Sequence, residues 1–104
     1  MLGFKDAWIH ESAFRQELCL AVVLIPTAFW LGETITHIIL MVCSCFLVLL
    51  AEIINSAIEA VVDRIGPEIH ELSGRAKNMG SSAVFITLTN CVFVYTMVAF
   101  DRFA

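Results

Sequence analysis

The sequence predicts an all-α integral membrane protein with three transmembrane helices preceded by an N-terminal amphipathic surface helix. Three observations lead there. Of its 104 residues, 60% are hydrophobic and only 15% charged, with mean hydropathy +0.88, against about 45–50% and about 25% in soluble domains. Three apolar runs approach the ~20 residues that a membrane crossing needs. The basic residues are distributed unevenly among the segments that join these runs. The length suits one domain, residues 1–104.

Residues 4–17, FKDAWIHESAFRQE, form the expected surface helix. At about 100° per residue, Phe4, Ala7, Trp8, Phe14 and the following Leu18 share one side. Glu11 projects from the middle of that apolar side, which a simple surface helix does not explain. The first span, about 18–36, contains LCLAVVLIPTAFWL. Its Pro26 predicts a kink rather than a break, because neighbouring groups inside a membrane protein re-satisfy the freed carbonyl. The acidic residues Asp6, Glu11 and Glu17 before this run do not read as a secretory leader.

The second span, about 37–62, is apolar from Ile35 onward and longer than a crossing requires, so its last turns should protrude. Residues 63–78, DRIGPEIHELSGRAKN, read as the one substantial polar loop. The third span covers about 79–100, with Tyr95 and Phe100 near one end as interface anchors. Lys5 and Arg15 precede the first span and Arg64, Arg75 and Lys77 lie between the second and third, against Arg102 alone on the other side. This bias places the N-terminus and the 63–78 loop in the cytoplasm and the C-terminus across the membrane.

Cys19, Cys43, Cys45 and Cys91 all lie in apolar runs and read as small packing residues, not as a disulfide framework or metal set. A formal charge of −4, with no basic stripe, argues against a nucleic-acid partner.

The informative feature is the deep end of the second span, AEIINSAIEAVVDR. Glu52, Asn55, Glu59 and Asp63 are spaced three, four and four apart, so they form one helical stripe. Intramembrane carboxylates are costly and turn toward protein or water, not lipid. The plain alternative is an interfacial helix end whose acids reach water and whose Asn55 bonds a neighbouring helix. As chemistry, the stripe offers hard oxygen ligands suited to magnesium with substrate phosphates. Lys77 and Arg75 could meet those phosphates, and a metal-free carboxylate such as Glu52 could accept a hydroxyl proton. These are parts of a phosphoryl-transfer site, although the spacing equally allows a cation or proton path. No P-loop, protein-kinase, GxSxG or HExxH motif occurs.

EIINSAIEAVVDRIG, followed by EIHELSGRAKNMGSSAV, resembles the signature of the bacterial membrane diacylglycerol kinases. WIHESAFRQE is similar to that family's segment before its first span, so the likeness runs through nearly the whole chain. The resemblance implies a bacterial inner-membrane enzyme, active as a homotrimer with sites shared between subunits, that phosphorylates diacylglycerol with MgATP to give phosphatidic acid. It assigns Glu52 as general base with Asn55 beside it, and Glu11 and Glu59 as holders of the Mg2+ that accompanies ATP. It further assigns Glu68, His70, Lys77 and Asn78 to the nucleotide, and Trp8, Arg15, Gln16 and Ser81 to the lipid approach. Read alone, Trp8 is an interface anchor, Arg15 a positive-inside charge and His70 plain surface. His10 and His37 match no functional position and read as structural.

Where the family usually has Lys-Asp, this sequence has Lys77-Asn78, which removes a negative charge beside the nucleotide and predicts altered ATP affinity. The family's upstream Arg and Tyr residues that help bind nucleotide are not in the sequence, whose first residues are MLGFKDAW. The nearest rival reading is the same chemistry on undecaprenol, performed by a related branch; HELSGRAK and MGSSAV resemble the diacylglycerol branch. From other classes, a small channel would use Glu52 and Glu59 but leaves Lys77, Glu68 and His70 without purpose. A structural subunit leaves Glu11 unexplained.

Overall fold

The computed structural model describes residues 2–65 and 71–104. Four helices follow in order: α1 (Leu2–His10), α2 (Ser12–Leu31), α3 (Ile35–Ile65) and α4 (Glu71–Phe103). The last three are long and apolar enough to cross a membrane. The chain is an all-α, multi-pass membrane protein with a short N-terminal helix.

The helix ends differ from the expected segments in two places. Residues 4–17 do not form one helix, because the chain turns at Glu11, whose backbone is extended at φ −119°, ψ 105°. Hydrogen bonding carries through the corner, Glu11 N–H to the Ala7 carbonyl at 3.0 Å and Arg15 N–H to the Glu11 carbonyl at 3.2 Å. The Arg15 guanidinium reaches back to the Trp8 and Ile9 carbonyls at 2.8 and 3.1 Å. These carbonyls end α1 and have no partners within it, so the arginine satisfies them and favours the negative end of the helix. Residues 12–17 therefore belong to the crossing helix.

The 63–78 segment is also largely helical rather than loop, since α3 continues to Ile65 and α4 begins at Glu71. At about 1.5 Å per residue α3 is roughly 46 Å long, more than the ~30 Å hydrocarbon layer. Its final turns, and the ELSGRAKN turns that open α4, are more polar than the rest and hold the helix with good helix formers such as Glu, Leu, Arg, Ala and Lys.

Packing follows membrane rather than aqueous logic. Large apolar side chains such as Val22, Phe29, Phe46, Phe85 and Phe93 are exposed, whereas the buried positions are mostly small: Ala21, Ala28, Ser44, Ala51, Ser56 and Gly80. Lipid is as apolar as leucine, so close approach of backbones, not exclusion of water, selects what lies between membrane helices. At one end Ala28, Leu31, Met41 and Val98 close an apolar core. Toward the middle, Cys45, Val48 and Cys91 form a second cluster. Tyr95 is not an interface anchor. Its hydroxyl donates to the Leu24 carbonyl at 2.8 Å and lies 3.2 Å from Cys45 Sγ, tying α4 to α2 and α3. Inside lipid such a hydroxyl finds its partner within the bundle or not at all.

The turn joining α2 and α3 is tight. Gly32 N–H bonds the Ala28 carbonyl at 2.9 Å, and a Cβ on Gly32 would stand 2.7 Å from Ile38 Cγ1. Thr34 Oγ1 accepts from His37 N–H at 3.2 Å, capping α3. The end of α4 is fastened to this turn by His37 Nε2 and Asp101 at 3.2 Å and by Arg102, which donates to the Leu31 carbonyl and lies 5.5 Å from the Trp30 and Phe103 rings. Gly32→Val is expected to destabilise the bundle by about 1–3 kcal/mol through overpacking, read as a lower melting temperature in detergent.

Candidate active site

Opposite the Gly32 turn, the stripe of α3 is progressively uncovered. Glu52 and Asn55 are only 6% and 8% exposed, Glu59 is half-buried and Asp63 exposed. Asn55 Nδ2 donates to Glu59 Oε1 at 3.3 Å, one helical turn on. Asn55 Oδ1 is buried and has no hydrogen-bond partner among the described residues. Glu52 shares its surroundings with the carboxyl groups of Glu17, Glu59 and Glu11.

Glu17 was read from sequence only as an acid before the first span. It is half-buried on α2, and its Oε2 has no hydrogen-bond partner among the described residues. The signal was present: Phe14, Glu17, Ala21, Leu24, Ala28 and Leu31 are spaced three, four, three, four and three apart, one inward face. Of these, Phe14, Ala21, Ala28 and Leu31 are buried, and Glu17 occupies the same face.

Two depressions meet at Ile53. One, of about 510 Å³, has a mixed lining: Asp6, His10 and Glu11 supply polar groups at the α1 end and Ser56 one on α3, among small apolar residues such as Ala57 and Ala60. His10, read as structural, thus borders the same cleft as Glu11. The other, of about 660 Å³, is apolar, lined by Phe4, Trp8, Phe14, Leu18, Phe46 and Leu50 with Lys5 at its edge. Trp8 also borders a third, shallow cleft with Ser12, Arg15 and Gln16.

On the facing helix, Lys77 Nζ bonds Asp63 Oδ1 at 2.7 Å in an exposed pair. One turn along, buried Gly80 rests against Asn55. Asn78 and Ser81 are exposed. One chain therefore brings together Glu11, Glu17, Glu52, Asn55 and Glu59, and sets Lys77 at their rim beside Asp63. Glu68 and His70 lie outside the described residues.

The model of the prokaryotic diacylglycerol kinase family matches residues 1–99. The chain belongs to that family. It is 59% identical over 86 residues to the diacylglycerol kinase of Haemophilus influenzae, covering 83% of this chain and 73% of that protein. The diacylglycerol kinase of Escherichia coli K12 is 48% identical over 101 residues, 97% of this chain and 83% of the relative. That of Pseudomonas aeruginosa is 51% identical over 89 residues, covering 86% and 72%.

The carboxyl groups around Glu52 form a set of hard oxygen donors. Among the described residues none of Glu11, Glu17, Glu52 or Glu59 is paired with Lys or Arg, and like charges this close repel unless something positive compensates. No group of three or more His, Cys, Asp or Glu forms a cage among those residues. Magnesium asks for less, one or two carboxylates completed by water and phosphate oxygens, and the carboxyl groups gathered around Glu52 are donors of that kind.

Proposed function

We propose that the protein transfers the γ-phosphoryl group of ATP directly to the free hydroxyl of diacylglycerol, giving phosphatidic acid and ADP, at the cytoplasmic surface of a bacterial inner membrane. The supporting observation is an apolar groove that meets a second cleft, bordered by Asp6, His10 and Glu11, at Ile53, the residue that follows buried Glu52 in α3. An amphipathic substrate needs that pairing, acyl chains in one and the reacting headgroup at the border of the other.

In this reading the hydroxyl oxygen bonds the γ-phosphorus as the bond to the β–γ bridging oxygen breaks, ADP leaves with the electron pair, and the hydroxyl proton passes to Glu52. Asn55 holds the neighbouring carboxylate in place by its 3.3 Å bond to Glu59. Glu11 and Glu59 would hold the Mg2+ that accompanies ATP, whose charge neutralises the phosphates. Lys77 serves the phosphates by exchanging Asp63 for them. An exposed pair of this kind is worth only about 0–1 kcal/mol, so the exchange is easy. Glu68, His70 and Asn78 serve the nucleotide. Trp8, Gln16 and Ser81 line the lipid approach, and Arg15 supports it by holding the end of α1.

The active unit is a homotrimer with shared sites, a reading with which the exposure of Asn78 and Ser81 on a single chain agrees. The excess of Lys and Arg at the N-terminus and in residues 63–78 supports a cytoplasmic position for this end.

The test is ATP-dependent phosphorylation of diacylglycerol and of undecaprenol, separately, by purified protein in mixed micelles. Product from diacylglycerol is expected. Product from undecaprenol alone would keep the chemistry and correct the acceptor, and product from neither, in folded protein, would overturn the reading.

A further inference from the structure

Gly80 is the buried residue of α4 at the carboxylate end of the bundle, and it faces Asn55 and Ile58 of α3. A Cβ at this position would overlap Asn55 Oδ1, lie 3.3 Å from Asn55 Cγ and 3.6 Å from Ile58 Cδ1. The bare surface of the glycine is therefore where the carboxamide oxygen is seated. Glycine within a helix is less favourable than alanine, so its presence inside a 33-residue helix, beyond the first two turns, calls for a local reason. Gly74 on the same helix is the internal contrast: an added Cβ there meets nothing within 4 Å.

We propose that Gly80 is a positioning residue, whose missing side chain seats the Asn55 carboxamide so that its Nδ2 is held toward Glu59. With the oxygen lodged against α4, the amide nitrogen points along α3 to Glu59 Oε1 at 3.3 Å. That bond is already long, so even a small displacement breaks it. A methyl group at 80 turns the carboxamide or lifts α4 away, and either movement frees Glu59 from its donor. Gly80 touches no reacting group in this scheme; it acts through Asn55. The inference rests on the reading that Asn55 and Glu59 serve phosphoryl transfer.

The experiment is a double-mutant cycle in the full-length protein, with Gly80→Ala, Asn55→Ser and the pair, and Gly74→Ala as control. Each is measured for melting temperature, kcat and the diacylglycerol KM. Gly80→Ala is expected to lower kcat about tenfold or more, in line with the cost of sub-ångström misplacement in an active site, with the lipid KM nearly unchanged. Gly74→Ala is expected to keep wild-type kcat. In the Asn55→Ser background, where the shorter side chain leaves room for a methyl, Gly80→Ala should cost little further in either kcat or melting temperature. Equal losses in both backgrounds would make Gly80 a packing residue only and overturn the proposal, as would wild-type kcat in Gly80→Ala. If Gly80→Ala alone does not fold, the pair must restore folded protein, and failure to do so also overturns it. The melting cycle is independent of the reaction, and wild-type turnover reads the kinase function separately.

Discussion

Glu52→Gln is expected to remove phosphorylation of diacylglycerol from a protein that remains folded. Glutamine keeps the volume and the hydrogen-bonding reach of a side chain that is 6% exposed, but it cannot accept a hydroxyl proton. General-base catalysis contributes about 10²–10⁴ to a rate, so kcat should fall by that order while the KM for ATP changes little. Stability should be kept or slightly raised, because one of four crowded carboxyl groups becomes neutral. This is the usual opposition between an active site and the stability of its scaffold. The measurements are turnover in mixed micelles and the melting temperature of the same preparation. Turnover within a few-fold of wild type would remove Glu52 from the base role.

Glu59→Gln should separate charge from hydrogen bonding. The amide oxygen of glutamine still accepts from Asn55 Nδ2, which now bonds Oε1 at 3.3 Å, so the local geometry is retained while one of the two carboxylates assigned to magnesium is lost. The magnesium concentration for half-maximal activity is expected to rise roughly tenfold or more, since a divalent ion then faces half the protein charge. Much of the activity should return at high magnesium. A magnesium titration identical to that of wild type would remove Glu59 from the ligand set.

The helical stripe Glu52, Asn55, Glu59 and Asp63 was legible because it sits in an otherwise apolar run, where each polar residue stands against its surroundings. Glu11 stood out as an acid among apolar neighbours, although the structure places it at the corner between α1 and α2 and not on a helix face. Glu17 was not legible, because it follows a run already rich in polar residues, and only the inward spacing from Phe14 to Leu31 distinguishes it. Tyr95 was misjudged because aromatic residues near a span end are often anchors; whether its hydroxyl meets water or the Leu24 carbonyl depends on a neighbouring helix 71 residues away in sequence. The same is true of Gly80, whose role is set by what lies opposite.

By itself the sequence determined that this chain crosses a membrane in three helices, that one helix carries a carboxylate stripe, and which family the motifs resemble. Those properties follow from local composition and from a 3.6-residue period, which a single strand of text contains. The tertiary structure alone decided that the chain turns at Glu11 and that Glu17 joins Glu52. It also showed the groove and the cleft meeting at Ile53, and Asn55 seated on a glycine of another helix. Each of these depends on contacts between segments far apart in the chain. In lipid, where the hydrophobic effect does not choose between helix faces, fit between small residues on neighbouring helices decides them.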